Sequence, residues 1–265
     1  MLELILLTLA VLGYLGGATL LLMQALGARD VGEIGALAAG GVALLAHAGL
    51  LFVPAFSGSA LSTHFVGALS LVAWAMAAVM TLTQARSRAR VLLATIWPIA
   101  ALSAALDAIL PNPPGEGIGG WQIRLHVVIA LSAYALLSIA ALQALAVAWQ
   151  ERSLRRKRFS LMLRALPPLS AMEELLFQYI VAGFALLTLT ILSGALFIEN
   201  LLAQHLVHKT VLTVFAWLVF GMLIFGRWRF GWRGRTAVRW TLIGMGVLLL
   251  AFFGSKFVLE VLLQR

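Results

Sequence analysis

Residues 125–149 read LHVVIALSAYALLSIAALQALAVAW, a run of 25 residues without Asp, Glu, Lys or Arg. A helix needs about 20 mainly apolar residues to cross the hydrocarbon core of a bilayer, because it rises about 1.5 Å per residue. This run is therefore long enough to span a membrane. The whole chain has the same character: of its 265 residues 62% are hydrophobic and 11% are charged. Soluble proteins average about 25% charged residues, so an ordinary soluble domain is excluded.

Seven further stretches meet the same criterion, and together they predict an all-α polytopic membrane protein with a bundle of eight transmembrane helices. The predicted spans are Leu2–Leu26, Ile34–Phe56, His64–Leu82, Val91–Leu110, Leu125–Trp149, Glu174–Ile198, Val207–Phe225 and Val238–Val258. The segments between them are too short for a soluble domain. Residues 1–265 are therefore predicted to form a single transmembrane domain.

The basic residues predict the orientation of the bundle. Fifteen of the 19 Lys and Arg residues lie in the loops that follow the first, third, fifth and seventh spans. Basic loops stay in the cytoplasm, so both termini are predicted on the outer side of a bacterial inner membrane. Attraction to anionic lipid headgroups also accounts for these charges. No nucleic-acid-binding motif accompanies them, so the lipid bilayer is the expected partner and nucleic acid is not.

Several kinds of chemistry are absent from the sequence. The chain has no cysteine, which excludes disulfides, iron–sulfur clusters and the covalent attachment site of c-type haem. Gly-rich phosphate loops and nucleophilic triads are missing as well. No series of carboxylates runs through the spans, which argues against a third possibility, a small-molecule or ion transporter. The histidines are the remaining residues that could carry chemistry.

In the predicted orientation all five histidines fall in the outer half of the membrane domain, although interfacial placement alone would also explain those at the span ends. Two axial imidazoles from different elements can hold a haem iron. His126 and His208 stand at the outer ends of the fifth and seventh spans, so they are the predicted pair. His64 and His205 also lie on this side. His205 and His208 are three residues apart, a spacing that would suit zinc, but no carboxylate cluster supports such a site.

Three more residues complete the candidate site. Arg124 and Lys209 neighbour the predicted ligands and are candidates to bind the two haem propionates. His47 lies thirteen residues into the second span, about 20 Å from the cytoplasmic side. A polar ring at that depth needs a partner and is a functional candidate, with a hydrogen bond to a neighbouring helix as the alternative.

Four segments resemble a known family. They are HVVIALSAYALL at 126–137, HKTV at 208–211, GRWRFGWRGR at 226–235 and GSKFV at 254–258. Together they resemble the cytochrome c assembly protein family of membrane haem handlers, the CcsA, CcmC and HemX-like group, and most closely its YpjD-type inner-membrane branch. The resemblance covers most of the chain.

The resemblance implies a haem b site at the outer face, flanked by His126 and His208, with His47 as the family's intramembrane histidine. It implies handling or transport of haem linked to cytochrome c maturation rather than catalysis, although it leaves open whether the protein is an enzyme. The implied partners are haem and another membrane protein of cytochrome maturation.

Two departures from the family pattern keep an alternative open. Residues 174–198 contain no histidine, whereas the family places a second intramembrane histidine in this span. The tryptophan-rich outer segment of the assembly proteins is replaced by a short loop, PNPPGEGIGG at 111–120, with Trp121 beyond it. A non-enzymatic regulator or scaffold subunit without a haem-ligation role is therefore the alternative. HemX-like members, which are associated with control of tetrapyrrole synthesis, are its precedent.

Overall fold

The computed structural model describes residues 1–27, 33–56, 65–84, 92–110, 120–157, 160–197 and 204–254. Every regular element within these ranges is helical. The α-helices are Leu2–Ala25 (α1), Glu33–Phe56 (α2), Phe65–Gln84 (α3), Leu93–Ile109 (α4), Trp121–Arg155 (α5), Leu161–Ala165 (α6), Leu169–Phe197 (α7), Gln204–Phe230 (α8) and Arg235–Leu249 (α9). A π-helical turn, Leu250–Gly254, continues α9.

These helices have the lengths that membrane spans require. Among the described residues seven helices are long and apolar enough to cross a membrane, and α4, with 17 residues, is a shorter apolar helix. At about 1.5 Å per residue α4 extends about 26 Å, close to the roughly 30 Å of the hydrocarbon core. The predicted polytopic all-α fold is confirmed, with α4 as the short member of the eight. The inner end of each helix is the end on the predicted cytoplasmic side, and the outer end is the opposite one.

Helix α5 is longer than its predicted span. It begins at Trp121 rather than Leu125 and ends at Arg155 rather than Trp149. Hydropathy falls where polar residues begin, but the backbone hydrogen bonds of the helix continue through them. Arg155 Nε donates to Glu151 Oε1 at 2.9 Å, an i, i+4 pair that supports the last turn. His126 therefore lies more than a turn inside the helix rather than at its mouth.

The chain divides into two compact units. A single domain over residues 1–265 stays a prediction. The first unit comprises Met1–Ile118 and Phe159–Pro167. In it α1 packs against α2 and α4, and α3 packs against the same two helices. The four long helices thus form a closed ring in chain order, an arrangement that buries one apolar stripe of each helix.

A buried tryptophan holds this ring together. Trp97, in α4, is fully buried, and its Nε1 donates to Thr81 Oγ1 of α3 at 3.1 Å. Its ring lies against Gly17 of α1 and Gly40 of α2, where a Cβ would overlap it. Glycine at both positions lets the flat indole fill the space between three helices, the close approach that small residues permit in membrane bundles.

The second unit comprises Gly119–Arg158 and Pro168–Arg265. Helix α5 packs against α7 and α9, and α8 packs against the same two helices. Helices α5 and α8 therefore stand at opposite corners of a second four-helix ring. Neighbouring helix axes lie about 8–10 Å apart, so opposite corners of such a ring are about 11–14 Å apart.

Candidate functional site

His126 is held in place by a hydrogen bond to α7. Its Nδ1 lies 2.9 Å from Ser193 Oγ, and the ring is half-buried between the two helices. Trp121 and Phe197 make an edge contact one turn further out, with ring centroids 6.2 Å apart. These two contacts fix the outer end of α5 against the outer end of α7.

Ser193 engages the Nδ1 nitrogen of His126 and leaves the other ring nitrogen available. Ser193 Oγ lies 2.9 Å from Nδ1 and 3.1 Å from the Thr190 carbonyl oxygen of its own helix. When the hydroxyl hydrogen points to Thr190, the oxygen accepts from Nδ1 and the lone pair of Nε2 is free. Nε2 makes no hydrogen bond to any residue that the structure describes. A hydrogen bond through one ring nitrogen, with the other unoccupied, is the arrangement found in histidine ligands to metals.

Contacts between α7 and α8 give the height of His208. Trp217 Nε1 donates to Thr188 Oγ1 at 2.9 Å, which sets the register of these antiparallel helices. His208 is nine residues before Trp217, and Phe197 is nine residues after Thr188. His208 is thus level with Phe197, about four residues or about 6 Å further out than the hydrogen-bond partner of His126.

Contacts to α9 give a second measure of the same relation. Tyr134 Oη, on α5, donates to the Leu248 carbonyl oxygen at 2.7 Å. The ring of Phe220, on α8, lies 2.8 Å from where a Cβ on Gly244 would be. Gly244 lies four residues inward of Leu248. His126 is eight residues outward of Tyr134, and His208 is twelve residues outward of Phe220, so the two counts bring both histidines to about the same height. By both measures the two histidines stand within about 6 Å of each other in height.

The structure thus places His126 and His208 at the same end of one unit, on helices at opposite corners of its ring. His208 is exposed and has no hydrogen-bond or ion-pair partner in the described part of the chain. Arg124 is exposed two residues before His126, about 200° around α5 from it, and Lys209 is half-buried beside His208. The roles predicted for these four residues stay predictions.

His47 belongs to the first unit, and its side chain is fully buried. Its Nε2 lies 3.0 Å from Ser70 Oγ of α3, so the hydrogen bond to a neighbouring helix considered for this residue is present. The ring also meets the edge of Tyr14 of α1, with centroids 5.9 Å apart. Three helices of the ring therefore contribute polar groups to one buried point.

Two polar atoms at this point are unsatisfied. His47 Nδ1 and Tyr14 Oη are both buried, and neither has a hydrogen-bond partner within the described residues. A buried polar group without a partner costs about 1–3 kcal/mol. The pair would therefore gain from a small polar ligand. Coordination of a metal through Nε2 would first require release of Ser70.

The structure does not describe the side chains of the two remaining histidines, His64 and His205. His64 lies outside the described residues, and His205 lies in α8 with a side chain outside them. No group of three or more His, Cys, Asp or Glu side chains that could hold a metal ion occurs among the described side chains. The zinc interpretation of His205 and His208 gains no third ligand there.

Sequence reasoning missed the residues that orient the imidazoles. Ser193, which engages Nδ1 of His126, is 67 residues away in the chain. Ser70 and Tyr14 are 23 and 33 residues away from His47. A hydroxyl inside a predicted span is a weak signal, because most such hydroxyls bond their own helix backbone, as Ser132 Oγ does to the Val128 carbonyl oxygen.

Comparisons with known proteins identify the family. A family model described as cytochrome C assembly protein matches residues 37–263. The inner membrane protein YpjD of Escherichia coli is 35% identical over 78% of this chain and 78% of its own length. An uncharacterized 28.8 kDa protein of Azospirillum brasilense is 38% identical over 60% of this chain and 59% of its own. Protein HemX of Brevibacillus brevis is 23% identical over 56% of this chain and 57% of its own length.

No solved structure gives a significant match to the chain. The family match covers well over half of the residues, and the relatives include a protein named for the inner membrane. The resemblance noted in the sequence is therefore confirmed, as is the inner-membrane location. The chain belongs to the cytochrome c assembly protein family and is a multi-pass protein of the bacterial inner membrane.

Proposed function

We propose that this protein binds haem b at the outer end of its second unit, with His126 and His208 as axial ligands, and handles haem for cytochrome c maturation. The observation that carries the proposal is the hydrogen bond between His126 Nδ1 and Ser193 Oγ, which leaves Nε2 of the imidazole without a hydrogen-bond partner among the described residues. An unprotonated imidazole nitrogen that makes no other bond can bind iron. Family membership supports haem as the metal complex.

The remaining predicted residues have supporting roles in this proposal. Arg124 and Lys209 would neutralise the carboxylates of the haem, and His208 would supply the second ligand. Haem bound there would supply an iron centre that the protein can hold in readiness for a recipient. The partner that receives it would be another membrane protein of cytochrome maturation.

His47 is proposed as an accessory ligand rather than a primary one. Its Nε2 is bonded to Ser70 Oγ, whereas Nε2 of His126 is free. Use of Nε2 of His47 would cost that buried hydrogen bond, a net penalty of about 1 kcal/mol. His47 would therefore bind haem more weakly than His126 does.

Absorbance of the purified protein tests the proposed function. The full chain is placed in lipid nanodiscs and titrated with haem, and the reduced-minus-oxidised difference spectrum is recorded. The proposal expects saturable uptake of one haem per chain at the outer site. A wild-type protein that binds no haem, as isolated and after titration, would contradict it.

Replacement of Ser193 by alanine is expected to weaken haem binding. The substitution removes the hydrogen-bond partner of Nδ1 of His126, so the imidazole loses the contact that fixes its orientation. Loss of a group that hydrogen-bonds a metal ligand typically costs about 10–100-fold in metal affinity. Haem titration of S193A is expected to show a loss of at least about tenfold.

Ser132→Ala is the matched control for S193A, because Ser132 bonds the backbone of its own helix and no histidine. Its haem affinity is expected to equal that of the wild type. Equal affinities of S193A and S132A would show that Ser193 does not position a ligand.

A regulator or scaffold without haem ligation is the second candidate. The exposure of His208 and the satisfied Nε2 of His47 favour it, because both are ordinary for histidines that serve only packing or the interface. One relative of this chain is named protein HemX. This candidate expects no haem uptake by the wild type in the titration above, and it is excluded if uptake occurs and depends on His126.

A further inference from the structure

A pocket of about 520 Å³ lies at the inner end of the second unit, remote in the chain from the histidines. The last turns of α5 and the first turns of α9 form it. Its charged lining residues are Glu151, Arg152, Arg155, Arg156, Arg235 and Arg239. Five guanidinium groups against one carboxylate give the pocket a strong positive charge.

The carboxylate of Glu151 neutralises only part of this positive charge. Glu151 Oε1 lies 2.8 Å from Arg155 Nη2 and 3.6 Å from Arg235 Nε, so it serves both of these residues. Arg152, Arg156 and Arg239 have no carboxylate partner among the described residues. Three guanidinium groups without a carboxylate partner in the described ranges therefore line one cavity.

The dipole of α9 adds to the positive charge on one side of the pocket. Arg235 and Arg239 lie in the first turns of α9, where the helix dipole already presents positive charge. Gly234, the N-cap, has no side chain to offer the first turn, and its own N–H donates to Glu173 Oε1 at 2.8 Å. An anion in the pocket would offset the positive charge of the α9 N-terminus and of the two arginines beside it.

We propose that this pocket binds a phosphate group of an anionic ligand. The planar guanidinium fork matches phosphate oxygens two at a time, and three or more such groups around one cavity are suited to a phosphate rather than to a single carboxylate. The volume falls within the range of about 300–1,000 Å³ typical of small-molecule sites. Ala148 and Val238 also line the cavity, which therefore has room for an organic group beyond the phosphate.

Two neighbouring tryptophans favour a position of the pocket at the depth of the lipid headgroups. Trp149 and Trp240 follow two of its lining residues, Ala148 and Arg239, and tryptophan is typical of the membrane–water interface. A phospholipid headgroup and a soluble organic phosphate share the phosphate chemistry, and both can reach this position. The test separates these two sources.

The experiment uses the full chain in two arms. In the first, nanodiscs of zwitterionic phosphatidylcholine are titrated with glycerol 3-phosphate, and tryptophan fluorescence reports binding. In the second, the discs contain phosphatidylglycerol, and native mass spectrometry counts lipids retained after release. Arg152→Gln and Arg239→Gln are expected to reduce binding of the effective probe by at least about tenfold, because each removes charge-assisted hydrogen bonds.

Arg233→Gln is the matched control, because Arg233 is exposed, carries the same charge and does not line the pocket. It is expected to bind like the wild type. Binding of glycerol 3-phosphate identifies a soluble ligand, and retention of phosphatidylglycerol alone identifies a lipid; both support the proposal. An equal loss in Arg233→Gln, which indicates diffuse attraction, or failure of the wild type to bind either probe overturns it. Helicity and thermal unfolding confirm that each variant is folded, and the two pocket variants test the site independently.

Discussion

Alanine at His126 or at His208 is expected to lower haem affinity by at least about tenfold, which is about 1.4 kcal/mol or more of binding free energy. Each substitution removes one of the two proposed axial ligands, so the iron keeps only one protein nitrogen. The double variant is expected to retain no stoichiometric haem. The measurement is the reduced-minus-oxidised absorbance of each purified variant, compared at equal protein concentration after titration with haem.

His205→Ala provides the matched control for these variants. It removes a histidine from the same helix as His208, one turn earlier, and outside the proposed pair. Its haem content is expected to match that of the wild type. If the two ligand variants also keep full occupancy, the pairing of His126 with His208 is wrong. If only His205→Ala loses haem, the second ligand on α8 has been misassigned.

Alanine at Gly40 is expected to destabilise the first unit by about 1–3 kcal/mol, towards the upper end of the range for overpacked cores. A Cβ at this position would overlap the ring of Trp97, which is fully buried and bonded to Thr81, so the indole has little room to move. The measurement is thermal unfolding in detergent micelles, together with the yield of folded protein.

Gly41→Ala is the control, because a Cβ at Gly41 would meet nothing within 4 Å. It is expected to be neutral or slightly stabilising, since alanine favours helix over glycine by about 1 kcal/mol. Trp97→Phe places a smaller ring at this position. It is expected to lower the free energy of unfolding less in the Gly40→Ala variant than in the wild type. Independent, additive effects of the two substitutions would contradict the proposed contact.

Hydropathy and length alone determined the class of this fold. Runs such as residues 125–149 have one stable solution in a bilayer, because only a helix satisfies its own backbone hydrogen bonds there. The ends of the helices were less accurate, since polar residues such as Gln150 and Glu151 lower hydropathy without ending the helix. The short helix α6 was missed because five residues are too few for a periodic pattern.

Pairwise contacts between helices could not be predicted. Glycines in the spans indicated close packing, but the sequence did not show that Gly17 and Gly40 make room for Trp97. That contact depends on the rotation of three helices about their axes. A buried aromatic ring carries no signal of which neighbour it will meet.

The candidate site was predicted by residue type and depth but not by geometry. The orientation rule grouped His126 with His208, and the structure places both at one end of the second unit, within about 6 Å in height. Their haem ligation stays a proposal. The bond to Ser193 was beyond prediction because it joins residues 67 positions apart.

The arginine pocket could not be predicted from the basic loops either. Fifteen basic residues in alternate loops are explained by topology, so no single arginine was distinguished by the sequence. The structure separates Arg152 and Arg239, which line the pocket, from Arg233, which does not. The difference comes from the packing of the end of α5 on the start of α9.

The spin state of ferric haem bound to the purified wild-type protein tests the central claim most directly. Two axial imidazoles create a strong ligand field, so low-temperature electron paramagnetic resonance is expected to show a low-spin, six-coordinate signal. The signal is expected to become high-spin when either His126 or His208 is replaced. A high-spin signal in the wild type, or a low-spin signal that persists in both variants, would contradict coordination by this pair.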